Sequence, residues 1–304
     1  MAVAQRHDYH DFIGLYDTGT WTMVREIAVP DMVDLAGLKW SPDGLHLVAW
    51  DTAANFCAVV VNVGGVVKRV ITEDHMLGVR ACAWAPSAQL LALSGYDNKI
   101  RMLNHLTWRP IATLVHRAQG IPASVDVFSE EEIVQTRAQE SQRLMAADTG
   151  ARMRTSFVLD PAPASIRVTM PADVHRAISE RKSGGGGGSG IAMLEFCADG
   201  ELLASVCEGM PNAVWIWEIA GTMRLIAVVQ TLKPVRSCVW SPVEKTLAVA
   251  AGAPAVCLWK RGQGCAMHDN PSSAAATASA VLWNPNGDTL AVLSKGLFML
   301  GFVN

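Results

Sequence analysis

The chain has 304 residues, of which 50% are hydrophobic and 17% are charged, and its formal net charge is -3. This composition supplies ample apolar material for a large core and excludes a disordered chain. The small net charge, without a clustered Lys/Arg stripe, argues against nucleic acid or a membrane surface as the partner. Residues 1–10 lack the apolar core of a secretory leader, and no apolar run approaches the roughly 20 residues of a membrane helix. We therefore expect a soluble intracellular protein.

The first predicted elements are short strands at the N-terminus. Phe12–Tyr16 and Trp21–Val29 are interpreted as the third and fourth strands of a partial sheet, with Met1–Arg6 as its second strand.

A seven-residue phrase then recurs along the chain, and its third residue is aromatic. The five aromatic positions are Trp40, Trp84, Phe196, Trp240 and Trp283. Their intervals are 44, 112, 44 and 43 residues. In most copies proline ends the strand and Asp-Gly or Asn-Gly makes a tight turn after it. We expect the five aromatic residues to pack between neighbouring sheets as structural residues.

Each phrase is followed by further predicted strands. Second strands are predicted at Leu45–Trp50, Leu90–Ser94, Leu202–Val206, Thr246–Ala250 and Thr289–Leu293. Third strands are predicted at Cys57–Asn62, Lys99–Leu103, Ala213–Trp217, Ala255–Trp259 and Leu297–Phe302. More polar, outer strands are predicted at Val66–Thr72, Trp108–Val115 and Met223–Gln230.

Four short strands about every 43 residues are typical of β-propeller blades. The sequence therefore predicts an all-β, WD40-type β-propeller with four full blades and a partial blade at each end. Either the partial blades complete each other, or upstream blades lie outside this chain. We favour upstream blades, because a chain that starts within a blade indicates truncation.

The long third interval contains an insertion. Blades are predicted at 1–116 and 191–304, with an inserted loop at 117–190. Within the loop, Val125–Ala147 is polar and predicts a surface helix or disorder, whereas Ser165–Pro171 is expected to pair at a blade edge. The composition of 183–190 predicts a flexible Gly/Ser linker, and its purity indicates an engineered replacement of native sequence.

The sequence offers no constellation for catalysis or for a metal. The G-x-S-x-G, H-E-x-x-H and P-loop patterns do not occur, and the histidines show no ligand spacing. The cysteines form no C-x-x-C pair and are expected to be reduced thiols. His75, Ser94 and Asp97 are interpreted as a buried structural hydrogen-bond chain rather than a catalytic triad. We expect a non-enzymatic protein without a cofactor.

Two tryptophan-containing segments allow two interpretations: each Trp either packs in the core, which is the more common role, or forms part of a binding surface, because exposed Trp is enriched at the centres of interfaces. Of Trp215 and Trp217, one is expected in the core and the other at a blade surface. The turn from Asn104 to Trp108 is not required by a generic blade. The predicted partner-binding residues are Asn104, His105, Trp108, Asn212 and Trp215.

Three phrases, Tyr96–Trp108, Met210–Ile219 and Leu293–Phe302, closely resemble the WRAP-type family of centrosomal and spindle-pole WD-repeat proteins, also called WD-repeat protein eight. The resemblance runs along the chain, except for much of 117–190, and matches the later part of that family. It implies a scaffold at a microtubule-organising centre that anchors microtubule minus ends. It also implies an Msd-type coiled-coil partner (SSX-interacting in animals), a minus-end-directed kinesin, and indirect contact with the γ-tubulin machinery.

Two other functions remain as alternatives. A substrate receptor of a ubiquitin ligase usually carries Trp-Asp-x-Arg after the third strand, whereas this chain has Trp217-Glu-Ile-Ala and Trp259-Lys-Arg-Gly. A hydrolase with its site in the central channel would need a nucleophile and a base on the inner strands. Those strands offer mainly Arg80, Arg236, Cys and Ala.

Overall fold

The computed structural model describes residues 1–132, 155–160, 165–183, 188–253, 255–268 and 277–302. Within these ranges the chain forms six β-sheets and the helix α1 (Ala172–Ser183). The sheets are numbered 1 to 6 in chain order.

Sheets 1 to 3 are built from consecutive antiparallel strands. Sheet 1 consists of β1 (Ala2–His7), β2 (His10–Tyr16) and β3 (Met23–Ala28). Sheet 2 consists of β4 (Leu35–Trp40), β5 (His46–Asp51), β6 (Cys57–Asn62) and β7 (Val67–Thr72). Sheet 3 consists of β8 (Ala81–Trp84), β9 (Leu90–Ser94), β10 (Lys99–Asn104) and β11 (Pro110–Val115).

Sheets 4 to 6 continue the pattern, and sheet 4 contains two extra strands. Sheet 4 consists of β12 (Asp126–Glu132), β13 (Thr155–Asp160), β14 (Ile191–Phe196), β15 (Leu202–Cys207), β16 (Met210–Glu218) and β17 (Arg224–Gln230), in the order β13-β12-β17-β16-β15-β14. Sheet 5 consists of β18 (Ser237–Trp240), β19 (Thr246–Ala250), β20 (Val256–Lys260) and β21 (Gly264–His268). Sheet 6 consists of β22 (Ala280–Trp283), β23 (Thr289–Ser294) and β24 (Leu297–Phe302). The four-stranded repeat and the partial sheets at both ends are those of the predicted WD40-type propeller.

Two aromatic residues of the recurring phrase, Trp84 and Trp283, connect consecutive sheets through hydrogen bonds. The indole N–H of Trp84 donates to the carbonyl of Lys39 at 3.4 Å, and that of Trp283 donates to the carbonyl of Val239 at 3.1 Å. Each acceptor directly precedes the aromatic residue of the previous phrase, so the bond repeats with the sequence period. Trp84, Phe196 and Trp240 are buried, whereas Trp40 and Trp283 are half-buried.

In four sheets, the pairing between the third and the fourth strand contains a register shift close to the turn that connects them. The shift falls between Leu15 and Tyr16, Val60 and Val61, Met102 and Leu103, and Ile216 and Trp217. Such a bulge increases the local twist and re-aims the side chains that follow it. It therefore positions the turn that comes after each third strand.

Part of the insertion belongs to sheet 4, which corrects the predicted loop. β12 pairs in parallel with β17, from Asp126 opposite Ala227 to Ser129 opposite Gln230, and β13 pairs with β12. The expected helix or disorder is therefore wrong for Asp126–Glu132, while 133–147 lies outside the described residues. Of the segment 165–171, Ser165 makes an isolated bridge with Gln119.

The C-terminal end of the predicted Gly/Ser linker is packed. Gly188 N–H donates to the carbonyl of Tyr96 at 2.9 Å, and the buried Ser189 hydroxyl bonds to Asn98. Ser183 ends α1, and 184–187 lie outside the described residues. A free linker is therefore wrong for 188–190, because backbone and hydroxyl groups there have protein partners.

The predicted His75–Ser94–Asp97 chain is also wrong. His75 is exposed, Ser94 donates to the carbonyl of Ala81 at 3.1 Å, and Asp97 pairs with Arg101 at 2.8 Å. The buried Arg101 side chain pairs with Glu73 as well, and its guanidinium lies 4.9 Å from the ring centroid of Phe56. Arg101 thus has the structural role that was expected of His75, since its long side chain reaches the carboxylates of Glu73 and Asp97 at once.

The chain divides into two compact units. Unit 1 comprises 1–116, 171–201 and 207–209, and unit 2 comprises 117–170, 202–206 and 210–304. Unit 1 contains one core around Phe56, Leu91 and Trp108, and another around Ile13, Leu47 and Val59. A core of unit 2 lies around Ala248, Leu258, Val281 and Leu290.

Candidate protein-docking surface

The turn from Asn104 to Trp108 connects β10 to β11 and is held by its first side chain. Asn104 Oδ1 accepts hydrogen bonds from the N–H groups of Leu106 (3.1 Å) and Thr107 (2.8 Å). The Trp108 N–H donates to the carbonyl of Asn104 at 2.9 Å, and Trp108 has a φ of 54°. Asparagine is suited to this position because its side-chain oxygen can replace a backbone acceptor in a tight turn.

Trp108 is a core residue, which corrects its prediction as an exposed binding residue. Its side chain is only 4% exposed. The indole meets Trp84 edge-on with ring centroids 5.7 Å apart and lies 5.2 Å from the ring of His46. Burial lowers the pKa of His46, which favours the neutral imidazole as a packing partner. Trp108 thus anchors the turn between sheets 2 and 3.

The exposed side chain of this turn is Leu106, which the sequence analysis did not select. Leu106 is 79% exposed, whereas the neighbouring His105 is half-buried and contacts the carbonyl of Gln89 through its backbone N–H (2.9 Å) and Nδ1 (3.2 Å). Asn104, His105 and Trp108 therefore support the turn rather than form its outer surface. The sequence signal that could have identified Leu106 is a large apolar residue at the tip of a turn that an asparagine side chain stabilises.

Sheet 2 contributes further exposed apolar residues at the same end. Leu45 and Val66 are exposed, and Leu45 precedes His46, which contacts Trp108. The β4–β5 turn and the β6–β7 turn are connected by a 3.0 Å hydrogen bond from Val63 N–H to the carbonyl of Leu45. We use the name apolar turn face for Leu45, Val66 and Leu106. All three belong to unit 1.

Asn212 and Trp215 do not lie on a surface, and their prediction as binding residues is wrong. Asn212 is buried, donates to the carbonyl of Arg167 at 3.1 Å and accepts from Thr169 N–H at 3.3 Å. Trp215 is buried and stacks on Trp217 with ring centroids 6.0 Å apart. The expected split of the two indoles fails because residues two apart share one face of a strand.

Comparison with known proteins agrees with this repeat geometry. The family model for the WD domain, G-beta repeat, matches residues 67–104, which run from β7 to β10. The matched repeat and the four-stranded sheets support a WD40-type β-propeller.

Two relatives extend the similarity along the chain. WD repeat-containing protein WRAP73 of Mus musculus is 30% identical over 315 residues, which cover 100% of this chain and 64% of the mouse protein. An uncharacterised WD repeat-containing protein of Schizosaccharomyces pombe is 19% identical over 204 residues, covering 66% of this chain and 35% of that protein. The chain thus spans less than two thirds of the length of either relative. WD40 repeats of this kind indicate a protein-interaction scaffold.

The described residues contain no group of three or more His, Cys, Asp and Glu side chains that could hold a metal ion. A cavity of about 430 Å³ in unit 1 is lined mainly by apolar side chains together with His10 and Asp11. Asp11 accepts a 2.6 Å hydrogen bond from Leu35 N–H and lies 3.6 Å from Arg6, so its carboxylate serves local structure. None of the helical segments that the structure describes is long and apolar enough to cross a membrane.

Proposed function

We propose that this WD40-repeat protein is a non-catalytic scaffold that binds a protein partner through the apolar turn face. The observation that carries the proposal is the 79% exposure of Leu106 on a turn that is held at both ends. Binding to a preorganised turn orders few additional groups, so more of the contact energy contributes to affinity. Trp108 supplies the anchor, and Leu106 supplies the contact.

The partner that fits this surface is an amphipathic helix. Leu45, Val66 and Leu106 carry no charge, and an apolar helix stripe covers such residues without desolvating a charged group. A coiled-coil protein offers stripes of this kind. The resemblance of the phrases at 96–108, 210–219 and 293–302 to the WRAP-type family supports the Msd-type (SSX-interacting) anchoring protein as that partner.

We place this pair at a microtubule-organising centre, where it anchors microtubule minus ends together with a minus-end-directed kinesin. Contact with the γ-tubulin machinery is indirect in this proposal. The support is the family resemblance together with the similarity to mouse WRAP73 along the whole chain. Neither a nucleic acid nor a membrane takes part.

The test is binding of the purified Msd-type coiled-coil protein to the wild-type chain and to two matched variants. Leu106→Asp is expected to weaken the measured Kd at least tenfold, because a buried leucine contributes about 1.5–3 kcal/mol to an interface. Val243→Asp is the control: Val243 is also an apolar turn residue and is 66% exposed, but it lies in unit 2.

Equal losses for the two variants would show that the apolar turn face is not the contact. Failure of the wild-type chain to bind would refute the coiled-coil assignment. Both variants should melt within a few degrees of wild type, because the substituted side chains are exposed.

A further inference from the structure

The cavity of about 430 Å³ in unit 1 lies between sheets 1 and 2 and has no part in the proposed function. Its walls come from Phe12 on β2, from Val29 directly after β3, and from Val67 at the start of β7. The volume lies within the roughly 300–1,000 Å³ of typical ligand pockets. Because most of the lining is apolar, the cavity can accept a large apolar side chain.

The two outer strands beside this cavity carry an excess of positive charge. β3 and β7 together contain three exposed cations, Arg25, Lys68 and Arg69, and one carboxylate, Glu26. Lys68 directly follows Val67 of the cavity wall. The chain as a whole has a net charge of -3, so the excess is a local property of these strands. They therefore attract an acidic ligand.

The fold does not use these three cations in ion pairs. Arg25, Lys68 and Arg69 form no salt bridge with any residue that the structure describes. In the same unit, Arg6 and Arg101 each pair with two carboxylates. The charges on β3 and β7 are thus available to the carboxylates of another molecule.

The cations and the cavity are arranged along the strands rather than around one point. Arg25 precedes Val29 by four residues, which is about 13 Å in a strand. The stem of Arg25 lies beside the β6–β7 turn, where a Cβ at Gly65 would come within 3.1 Å of its Cδ. Next to Arg25, the exposed side chains of Met23 and Val24 extend the apolar surface. A ligand that fills the cavity and also reaches Arg25 must therefore be elongated.

We propose that the cavity and the three cations form one docking site for an elongated acidic segment of a partner protein that also contains apolar residues. An apolar side chain of this segment occupies the cavity, and its carboxylates pair with Arg25, Lys68 and Arg69. We name this site the basic rim groove. It shares no residue with the apolar turn face, so it is a second contact surface beyond the proposed function.

A peptide fits the basic rim groove better than a nucleic acid does. Phosphates would satisfy the cations, but they leave the apolar cavity without an occupant. An acidic peptide supplies carboxylates and aliphatic side chains together, so it can use both parts of the site. Its affinity should fall as salt is added, because charges on exposed strands are screened.

The first experiment measures binding of labelled synthetic peptides to the purified chain by fluorescence anisotropy. The probe consists of four repeats of Glu-Glu-Leu. Four repeats of Glu-Glu-Ser keep the charge without the apolar side chains, and four repeats of Lys-Lys-Leu reverse the charge. The Glu-Glu-Leu peptide should bind at least tenfold more tightly than either of the others.

Charge variants locate the site. The double variant Arg25→Glu/Lys68→Glu should weaken binding of the Glu-Glu-Leu peptide at least tenfold, because two attractions become repulsions. Arg176→Glu/Lys295→Glu is the matched control: both residues are exposed and the change in charge is the same, but neither lies on β3 or β7. It should leave the affinity within twofold of wild type.

Two further variants separate the cavity from the charges and from the apolar turn face. Val67→Trp should weaken the Glu-Glu-Leu peptide at least threefold without a change in charge, because an indole at this position fills the cavity. Leu106→Asp should leave the affinity for this peptide within twofold of wild type. The basic rim groove can therefore fail while the apolar turn face holds, and the reverse.

Equal affinities of the Glu-Glu-Leu and Glu-Glu-Ser peptides would overturn the proposal, because the cavity would then not be used. Equal losses for the two double variants would overturn it as well, since the effect would then reflect the net charge of the chain. Displacement of the peptide by single-stranded DNA of the same charge would identify a nucleic acid as the ligand, which is also contrary to the proposal.

Discussion

Trp108→Ala tests whether this residue is a core anchor rather than a binding residue. The indole is 4% exposed and contacts both Trp84 and His46, so truncation leaves a cavity between sheets 2 and 3. Large-to-small substitutions of this kind cost about 3–5 kcal/mol, of which the lost aromatic pair accounts for about 0.5–1.5 kcal/mol beyond the buried area. We expect the free energy of unfolding to fall by that total in urea denaturation followed by circular dichroism.

Trp21→Ala is the matched control, because Trp21 occupies the same position of the repeat but is 66% exposed. In residues 1–304 it should change the free energy of unfolding by less than about 1 kcal/mol, the range of surface substitutions. Trp108→Phe should recover part of the loss by keeping a ring against Trp84. A Trp108→Ala variant with the urea midpoint of wild type would refute the assignment of Trp108 to the core. Equal losses for Trp108→Ala and Trp21→Ala would refute the difference between the two positions.

Two further predictions concern the pH dependence of stability and the turn. Burial lowers the pKa of His116 to about 4. Below about pH 6.5 the imidazole of the unfolded chain binds a proton, whereas that of the folded chain does not bind one until about pH 4. The free energy of unfolding therefore falls as the pH falls through this range. Between pH 7 and 4.5 the wild type should lose about 2–3 kcal/mol more than His116→Gln in urea denaturation, and equal losses would contradict the burial of a neutral imidazole. Asn104→Ala should destabilise by about 1–2 kcal/mol because the turn loses its side-chain acceptor, whereas Asn104→Asp should be close to wild type, since Asp17 fills this role in sheet 1. If Asn104→Asp and Asn104→Ala expose the Leu106 amide to hydrogen exchange equally, the acceptor oxygen is not what holds the turn.

The repeated sheets could be predicted from the sequence because their signals are local. Alternating apolar residues and Pro-Asp-Gly turns lie within a few positions of each other, and β6, β9, β19 and β24 have the bounds that this pattern predicts. The strand β12 could not be found in this way. Its polar sequence is typical of a loop or a helix, and its pairing depends on β17, which lies about 100 residues later.

The errors at candidate site residues have the same origin. His75 was expected near Asp97, whereas Arg101 is the side chain that reaches this carboxylate, and that depends on a tertiary distance. The exposure assigned to Trp108 depended on whether His46 of another sheet lies beside it. In contrast, the shared face of Trp215 and Trp217 follows from strand periodicity and could have been predicted from the sequence.

The parallel pairing of β12 with β17 also sets an order of events during synthesis. Ser129 meets Gln230 across 101 residues of chain. At about 5–20 residues per second, β12 leaves the ribosome about 5–20 s before its partner exists. Sheets 1 to 3 precede β12 in the chain and can close from adjacent strands as they emerge, whereas β12 must wait for β17 with one pairing edge open. The open edge of β12 is therefore available to other strands until β17 emerges.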